Sequence, residues 1–338
     1  MILSGILIGF MGAAVWTHHM FTTGLGPVVN TAFSLTSFVI GIPTGIKIFN
    51  WLGTMWGGSI RFTTPIIYAI AFLITFTLGG ITGIMLAMPT FDAQVHDTYF
   101  VVAHFHYVMG GGALLSYLGA LYYWFPKMTG RMMSERLGKI AAVITVIGFH
   151  GIFFPQHIAG LLGMPRRIQT YPAGIGLELW NALSTMGSWL MGIGLILILI
   201  NVIHGLTRGK RVGNDPWDAR TLEWETSSPP PYYDFEVQPV VNSLDPLWAR
   251  KHPDAMHVTP PAPDAGAKYD AGGVHIPGQS WYPFLASAAI MFGCYALMYD
   301  NFILAIVCGL FFIFTIFGWA FEGVGGHHVH FDGAKEHA

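Results

Sequence analysis

Histidine is over-used in this chain: 15 copies stand beside 16 lysines and arginines, and several lie inside apolar runs. A buried imidazole needs a hydrogen-bond partner or a metal. His18 and His19 are adjacent. On a helix they diverge by about 100°, so they converge on one ion only from either side of it. That suits copper, zinc or iron with further ligands from elsewhere. Taken alone, an interfacial histidine pair at a membrane boundary is the commoner reading of such neighbours. His104 and His106 are spaced i, i+2, about 200° apart around a helix, and cannot ligate the same ion. Each could take a different planar cofactor, with the helix between two haems, and Tyr99, Phe100, Phe105 and Tyr107 supply rings around them. Satisfying both as ordinary core histidines needs two separate acceptors, so cofactor ligation is favoured.

Other residues carry weaker signals. His96-Asp97 offers a nitrogen and a hard oxygen to a divalent ion, or forms an ion-pair network with Asp92 nearby. Arg166-Arg167, after Pro165, is a double guanidinium suited to bidentate capture of carboxylates, haem propionates among them. Lys47 is the lone charge in the first two apolar runs, with Pro43 interrupting its helix and Thr44 on its face. A charge at a helix centre costs about 2.5–3.5 kcal/mol on insertion scales and invites a functional reading. Lys47 also stands about one turn from the end of its run, where a lysine snorkels to the interface. Position alone leaves both readings open.

The elements that must position these groups are membrane helices. Apolar runs near 2–23, 31–52, 64–88, 97–125, 138–162 and 178–206 are each long enough to span a bilayer. A polar, proline-rich tract over 207–279 holds Pro229-Pro230-Pro231 and Pro260-Pro261, and reads as an extended surface segment. Runs at 281–299 and 301–321, parted by Asp300 and Asn301, read as a helical hairpin. The expected fold is therefore all-α, a polytopic transmembrane bundle of about eight helices. Its parts are six helices over 1–206, the polar segment 207–279, the hairpin 280–322 and a histidine-rich polar tail 323–338. Lys127, Arg131, Arg136 and Lys139, then Arg208, Lys210 and Arg211, place alternate loops on the inside. Arg166-Arg167 falls outside and breaks that rule, as does little else.

Composition agrees. AVILMFWYC make up 53% and Asp, Glu, Lys and Arg only 10%, against about a quarter charged in soluble domains. Disorder, collagen-like repeats and a basic nucleic-acid-binding domain are excluded, and a net charge of −2 points to no charged partner. Cys294 and Cys308 form neither a disulfide framework nor a thiolate metal site, so metal chemistry must rest on histidine and oxygen.

Taken in order, Trp16-Thr17-His18-His19-Met20, Ile42-Pro43-Thr44-Gly45-Ile46-Lys47, the run His96-Asp97-Thr98-Tyr99 to His104-Phe105-His106-Tyr107, and Gly163-Met164-Pro165-Arg166-Arg167 resemble subunit I of the haem-copper oxidases. The likeness is to the cytochrome c oxidase branch and covers about 1–235, the C-terminal half of that subunit, helices seven to twelve. It implies that His18 and His19 are two of three copper ligands at the oxygen-reducing centre. His104 would be the axial ligand of the high-spin haem and His106 one axial ligand of the low-spin haem, both of type A. Lys47 and Thr44 match a proton channel, which overrides the snorkelling reading. His96 and Asp97 match magnesium ligands, and Asp92, Arg166 and Arg167 match propionate contacts.

The same resemblance implies dioxygen reduction to water with proton uptake and pumping, in a bacterial respiratory plasma membrane. The other low-spin haem histidine, the third copper ligand with its tyrosine, and a second-channel glutamate belong to helices one to six and have no counterpart here. A partner chain carrying the N-terminal half is expected, and an apolar start at Met1 without a basic leader agrees. Further implied partners are subunit II with its dinuclear copper, subunit III, and cytochrome c as donor. The hairpin from Trp281 to Glu322 resembles accessory subunits or the start of subunit III. His327, His328, His330 and His337 read as a solvated tail. A quinol oxidase and a non-catalytic scaffold are the competing expectations, and a nitric oxide reductase fits Lys47 and Thr44 less well.

Overall fold

Length and apolarity decide the architecture. In this computed structural model Ile2–Met20, Pro27–Met55, Thr64–Leu86, Glu135–Leu161, Glu178–Arg208 and Phe302–Phe321 are helical runs able to cross a membrane. The structure describes residues 1–231, 234–235, 238–241, 243–256, 274–323 and 325–329. Two compact units divide the chain, Met1–Pro216 and Trp217–Ala338. The chain is a polytopic helical membrane protein, and its outward Leu, Ile and Phe side chains are what lipid contact requires.

In the first unit the helices are α1 (Ile2–Val15), α2 (Pro27–Val39), α3 (Gly41–Met55), α4 (Thr64–Leu86), α5 (Pro89–Val95), α6 (Tyr99–Phe105), α7 (Leu115–Thr129), α8 (Glu135–Leu161) and α9 (Glu178–Arg208). Three expected spans differ in detail. The first tightens after Val15 into a 3₁₀ turn, Trp16–Met20, that carries His18 and His19, so the 100° spacing of an α-helix does not apply to them. The second starts at Pro27 and is broken at Ile40, three residues before Pro43, because a proline cannot donate to the carbonyl of residue i−4. The fourth begins only after Asp97, whose φ of 54° turns the chain sharply. It then continues from α6 through a π-helical stretch, His106–Leu114, into α7.

α4, α7, α8 and α9 share a core of Tyr68, Leu115, Leu118, Tyr122, Phe125, Ala141, Ala142 and Ile198. α8 and α9 approach at backbone contact: a Cβ on Gly187 would stand 2.4 Å from Ile152 N. Without glycine there the two helices could not meet, the small-residue packing typical of membrane bundles. Asn201, fully buried, ties the inner end. Its Oδ1 accepts from Ser134 N at 2.9 Å, and its Nδ2 donates to Ser134 O at 2.9 Å and to Tyr122 Oη at 3.2 Å.

The second unit holds α10 (Pro246–Lys251), α11 (Pro253–Met256), β1 (Val274–Pro277), α12 (Tyr282–Met298), α13 (Phe302–Phe321) and β2 (Gly326–Val329). The expected hairpin is present, with Asn301 capping α13 by accepting from Leu304 N at 3.1 Å. Two expectations need correction. Among the described residues of the tract read as extended, ion pairs tie distant positions together: Arg250 to Glu225, Arg220 to Asp245 and Lys251 to Asp218. A two-stranded antiparallel ribbon, with Val274 opposite Val329 and Pro277 opposite Gly326, joins that tract to the tail. It places His327 and His328, read as part of a solvated tail, in a short strand beside an otherwise helical chain. His330 and His337 lie outside the described residues.

Candidate metal and cofactor site

His104 and His106 leave their helix toward different neighbours, as their spacing requires. The Nδ1 of His104 is 3.0 Å from Gly79 O and 3.0 Å from Thr82 Oγ1, both on α4. A carbonyl only accepts, so Nδ1 carries the proton and the lone pair sits on Nε2. Thr82 agrees, because its hydroxyl already donates to Gly79 O at 2.8 Å. His106 faces α8 instead: its ring stacks on Phe153 with centroids 4.1 Å apart and 13° between planes. Its Nδ1 donates to Val102 O at 2.8 Å, which again frees Nε2. Each imidazole is thus oriented by a backbone carbonyl with Nε2 available to a metal, the usual arrangement of a ligating histidine. A Cβ on Gly83 would stand 2.9 Å from His104 Cε1 and 3.6 Å from its Nε2, so glycine keeps that edge of the ring clear. These features fit two iron ligands on opposite sides of one helix.

His18 and His19 converge more closely than neighbours on an α-helix would. Ser37 Oγ donates to Phe33 O at 2.6 Å and therefore accepts from His18 Nδ1 at 3.0 Å, leaving the lone pair of His18 on Nε2. That atom lies 3.0 Å from His19 Nε2. Two imidazole nitrogens this close would both be within reach of one metal ion placed between them. Among the described residues no three His, Cys, Asp or Glu side chains converge on one metal position.

Lys47 points its Nζ back at α1: a Cβ on Gly5 would be 3.5 Å from it. Nζ also stands over the Trp51 ring, centroid 5.9 Å away, and among the described residues it makes no hydrogen bond or ion pair. Thr44 Oγ1 donates to Ile40 O at 2.9 Å, across the break between α2 and α3.

The α5–α6 corner and the α8–α9 loop join into one cluster. Tyr99 N donates to Met164 O at 3.0 Å and Arg166 N to Asp97 O at 2.8 Å, which locks the α5–α6 corner onto the α8–α9 loop. Asp97 Oδ1 lies 3.6 Å from Arg166 Nε, and Asp97 Oδ2 lies 3.9 Å from His96 Nε2. Asp92, 5% exposed, places Oδ2 3.4 Å from His96 Nδ1 without hydrogen-bond geometry, leaving that oxygen unsatisfied. Burial pushes the Asp92 carboxyl above its ordinary value, partly offset by His96. The two arginines diverge. Arg166 faces Asp97, whereas Arg167 has φ 65° and is exposed, because the left-handed turn throws successive side chains apart.

Sequence reasoning did not find a buried polar group one turn deeper. Tyr107 Oη is 2.7 Å from His150 Nδ1, and His150 Nε2 is 3.3 Å from Thr75 Oγ1. His157, on the same helix, packs its ring against Phe100 and Tyr107, and both its nitrogens are buried without hydrogen-bond partners. The signal available was the spacing of His150 and His157, i and i+7 within an apolar run.

Residues 1–209 match the family model described as "Cytochrome C and Quinol oxidase polypeptide I". Cytochrome c oxidase subunit 1 of Bacillus subtilis (strain 168) is 48% identical over 302 residues, 89% of this chain and 47% of the relative. The protein of the same name from Alkalihalophilus pseudofirmus is 49% identical over 304 residues, again 89% and 47%. Quinol oxidase subunit 1 of Bacillus subtilis (strain 168) is 40% identical over 339 residues, 99% of this chain and 51% of that one. This chain spans about half the length of the curated relatives it matches.

Proposed function

Since the chain belongs to the cytochrome c and quinol oxidase polypeptide I family, we propose that it is the C-terminal half of an oxidase subunit I, working with a partner that supplies helices one to six. Family membership implies haem and copper. Bound here, those groups supply electron transfer and the reduction of dioxygen to water. One observation carries the reading: two histidines two residues apart each donate Nδ1 to a backbone carbonyl and present Nε2 to opposite sides of one helix.

The chain's own residues divide the work. His104 holds the high-spin haem iron and His106 the low-spin iron, both haems of type A, while His18 and His19 hold copper with a third ligand from the partner half. Lys47 carries a proton on Nζ toward that centre. Thr44 lies one turn below Lys47 as a hydroxyl acceptor. Asp92, Arg166 and Arg167 contact propionates, and the unsatisfied Asp92 oxygen supports a partner there. His96 and Asp97 contribute to a magnesium site. The working assembly includes subunit II with dinuclear copper, subunit III, and cytochrome c as donor.

A quinol oxidase is the second reading. It is favoured by an alignment to a quinol oxidase subunit that covers 99% of this chain and so includes the α12–α13 hairpin. Oxygen consumption by the purified complex separates the two. Turnover with reduced cytochrome c and not with a quinol supports the first reading; the reverse overturns it. Neither activity, with no haem in the complex, would leave a scaffold.

A further inference from the structure

Thr75, Tyr107 and His150 have no part in the roles above, yet they meet beside His106. We propose that His150 is a positioning residue for His106: through Tyr107 it pins the π-helical step that sets the direction of the His106 ring. The proposal rests on the reading of His106 as a haem ligand.

The π-helical stretch opens at His106 itself and runs to Leu114. Such stretches have one extra residue per turn and occur mostly as single turns at functional sites, so a nine-residue run needs support from its surroundings. Tyr107, its second residue, is 1% exposed and donates to or accepts from His150 Nδ1 at 2.7 Å. The other nitrogen of His150 reaches Thr75 on α4 at 3.3 Å. One imidazole therefore ties the start of the π-helix to both α8 and α4. Thr75 has no room to follow a drifting π-helix, since a Cβ on Gly111 would stand only 2.4 Å from its Cγ2. Phe153, one turn along α8 from His150, carries the stacked His106 ring at 4.1 Å. The same face of α8 thus fixes the plane of the His106 ring through Phe153, and the backbone step beside it through His150. Without the imidazole at position 150, the buried Tyr107 hydroxyl must seek another partner, and the residue bonded to His106 moves with it.

A plain packing role for His150 makes a different forecast from a positioning role. Packing loss would lower both haem signals together; positioning alters the low-spin signature alone. The test uses the full complex with His150→Leu, His150→Asn and Tyr107→Phe. The readouts are the electron paramagnetic resonance g-values and the visible α-band of the low-spin haem, with the carbon-monoxide-reactive haem as internal control. The expected result is a common shift of the low-spin signals in His150→Leu and Tyr107→Phe, no additional shift in the double variant, and return toward wild type in His150→Asn. The carbon monoxide band stays unchanged in all. Should His150→Leu not assemble, Tyr107→Phe decides alone, because it keeps the ring packing and removes one hydroxyl. Unshifted low-spin signals in variants retaining both haems would overturn the proposal and leave the ligand reading standing. A wild-type complex lacking any low-spin haem would overturn the ligand reading itself.

Discussion

Gly83→Ala sets two effects of opposite sign against each other. The added methyl lands 2.9 Å from His104 Cε1, and carbon–carbon contact is comfortable only from about 3.5 Å, so the ring must retreat by roughly 0.6 Å. His104 Nδ1 is held at 3.0 Å by both Gly79 O and Thr82 Oγ1. A retreat of that size carries at least one of these past the hydrogen-bond limit of ~3.5 Å. Losing a buried hydrogen bond costs about 1–3 kcal/mol. Against this, alanine in place of glycine favours a helix by about 0.5–1 kcal/mol. The bundle is left with a net loss of about 0–2.5 kcal/mol, and the displacement at His104 has no offset. Gly80→Ala is the control: nothing lies within 4 Å of its Cβ, so only the helix gain applies. The assay is thermal stability of the complex beside its carbon monoxide difference spectrum. Gly83→Ala should melt no higher than wild type and up to about 10 °C lower, while its carbon-monoxide-reactive haem falls or its band shifts; Gly80→Ala should leave the spectrum alone. An unaltered carbon monoxide spectrum in Gly83→Ala, at full haem content, would refute the reasoning.

Three further outcomes follow from the geometry. Gly160→Ala puts a methyl 1.9 Å from Phe100 N, a clash with backbone that forces α6 and α8 apart at a cost of about 1–3 kcal/mol or more. Yield of assembled complex should fall sharply, whereas Gly192→Ala, with nothing within 4 Å, should assemble normally. Arg250→Ala removes a guanidinium that is 11% exposed and bonds both Glu225 oxygens at 2.5 and 2.6 Å. With Glu225 27% exposed, the loss should fall at or below the lower end of the ~3–5 kcal/mol of a buried pair. Protease cleavage within 218–251 should accelerate, and far less so for Arg220→Ala, whose pair is solvent-exposed and worth about 0–1 kcal/mol. Asp92 titrates above its ordinary 3.8 because it is buried, so the folded state binds more protons than the unfolded state just above that pH. Stability contributed by this group therefore declines as pH rises from the ordinary value through the raised one. Asp92→Asn should flatten that slope in melting curves taken across the acid range, and an unchanged slope would count against the burial argument.

Hydropathy exposed the bundle because length and apolarity alone decide which segments cross a membrane. All the spans recur as helix, and the α12–α13 turn at Asp300 and Asn301 lies where the charge placed it. The opposite-face geometry of His104 and His106 was equally legible, since it follows from helical spacing. What stayed hidden depends on backbone steps or distant partners. The π-helical stretch from His106 leaves the apolar pattern intact, and only the run Gly110-Gly111-Gly112 hints at it. Arg166 and Arg167 are neighbours in sequence, and the positive φ at Arg167, which neither composition nor spacing signals, turns their side chains apart. Pairing of Val274 with Val329 joins segments 55 residues apart, beyond any local signal. His150 stayed hidden for the same reason, its partners Thr75 and Tyr107 lying on other helices.

The division of two irons between His104 and His106 is tested most directly by reduced-minus-oxidised spectra, with and without carbon monoxide, on complexes carrying His104→Ala or His106→Ala. The geometry predicts that His104→Ala loses the carbon-monoxide-reactive haem and that His106→Ala loses or alters the low-spin haem. Loss of only the carbon-monoxide-reactive signal in His106→Ala, with the low-spin haem spared, would contradict the assignment.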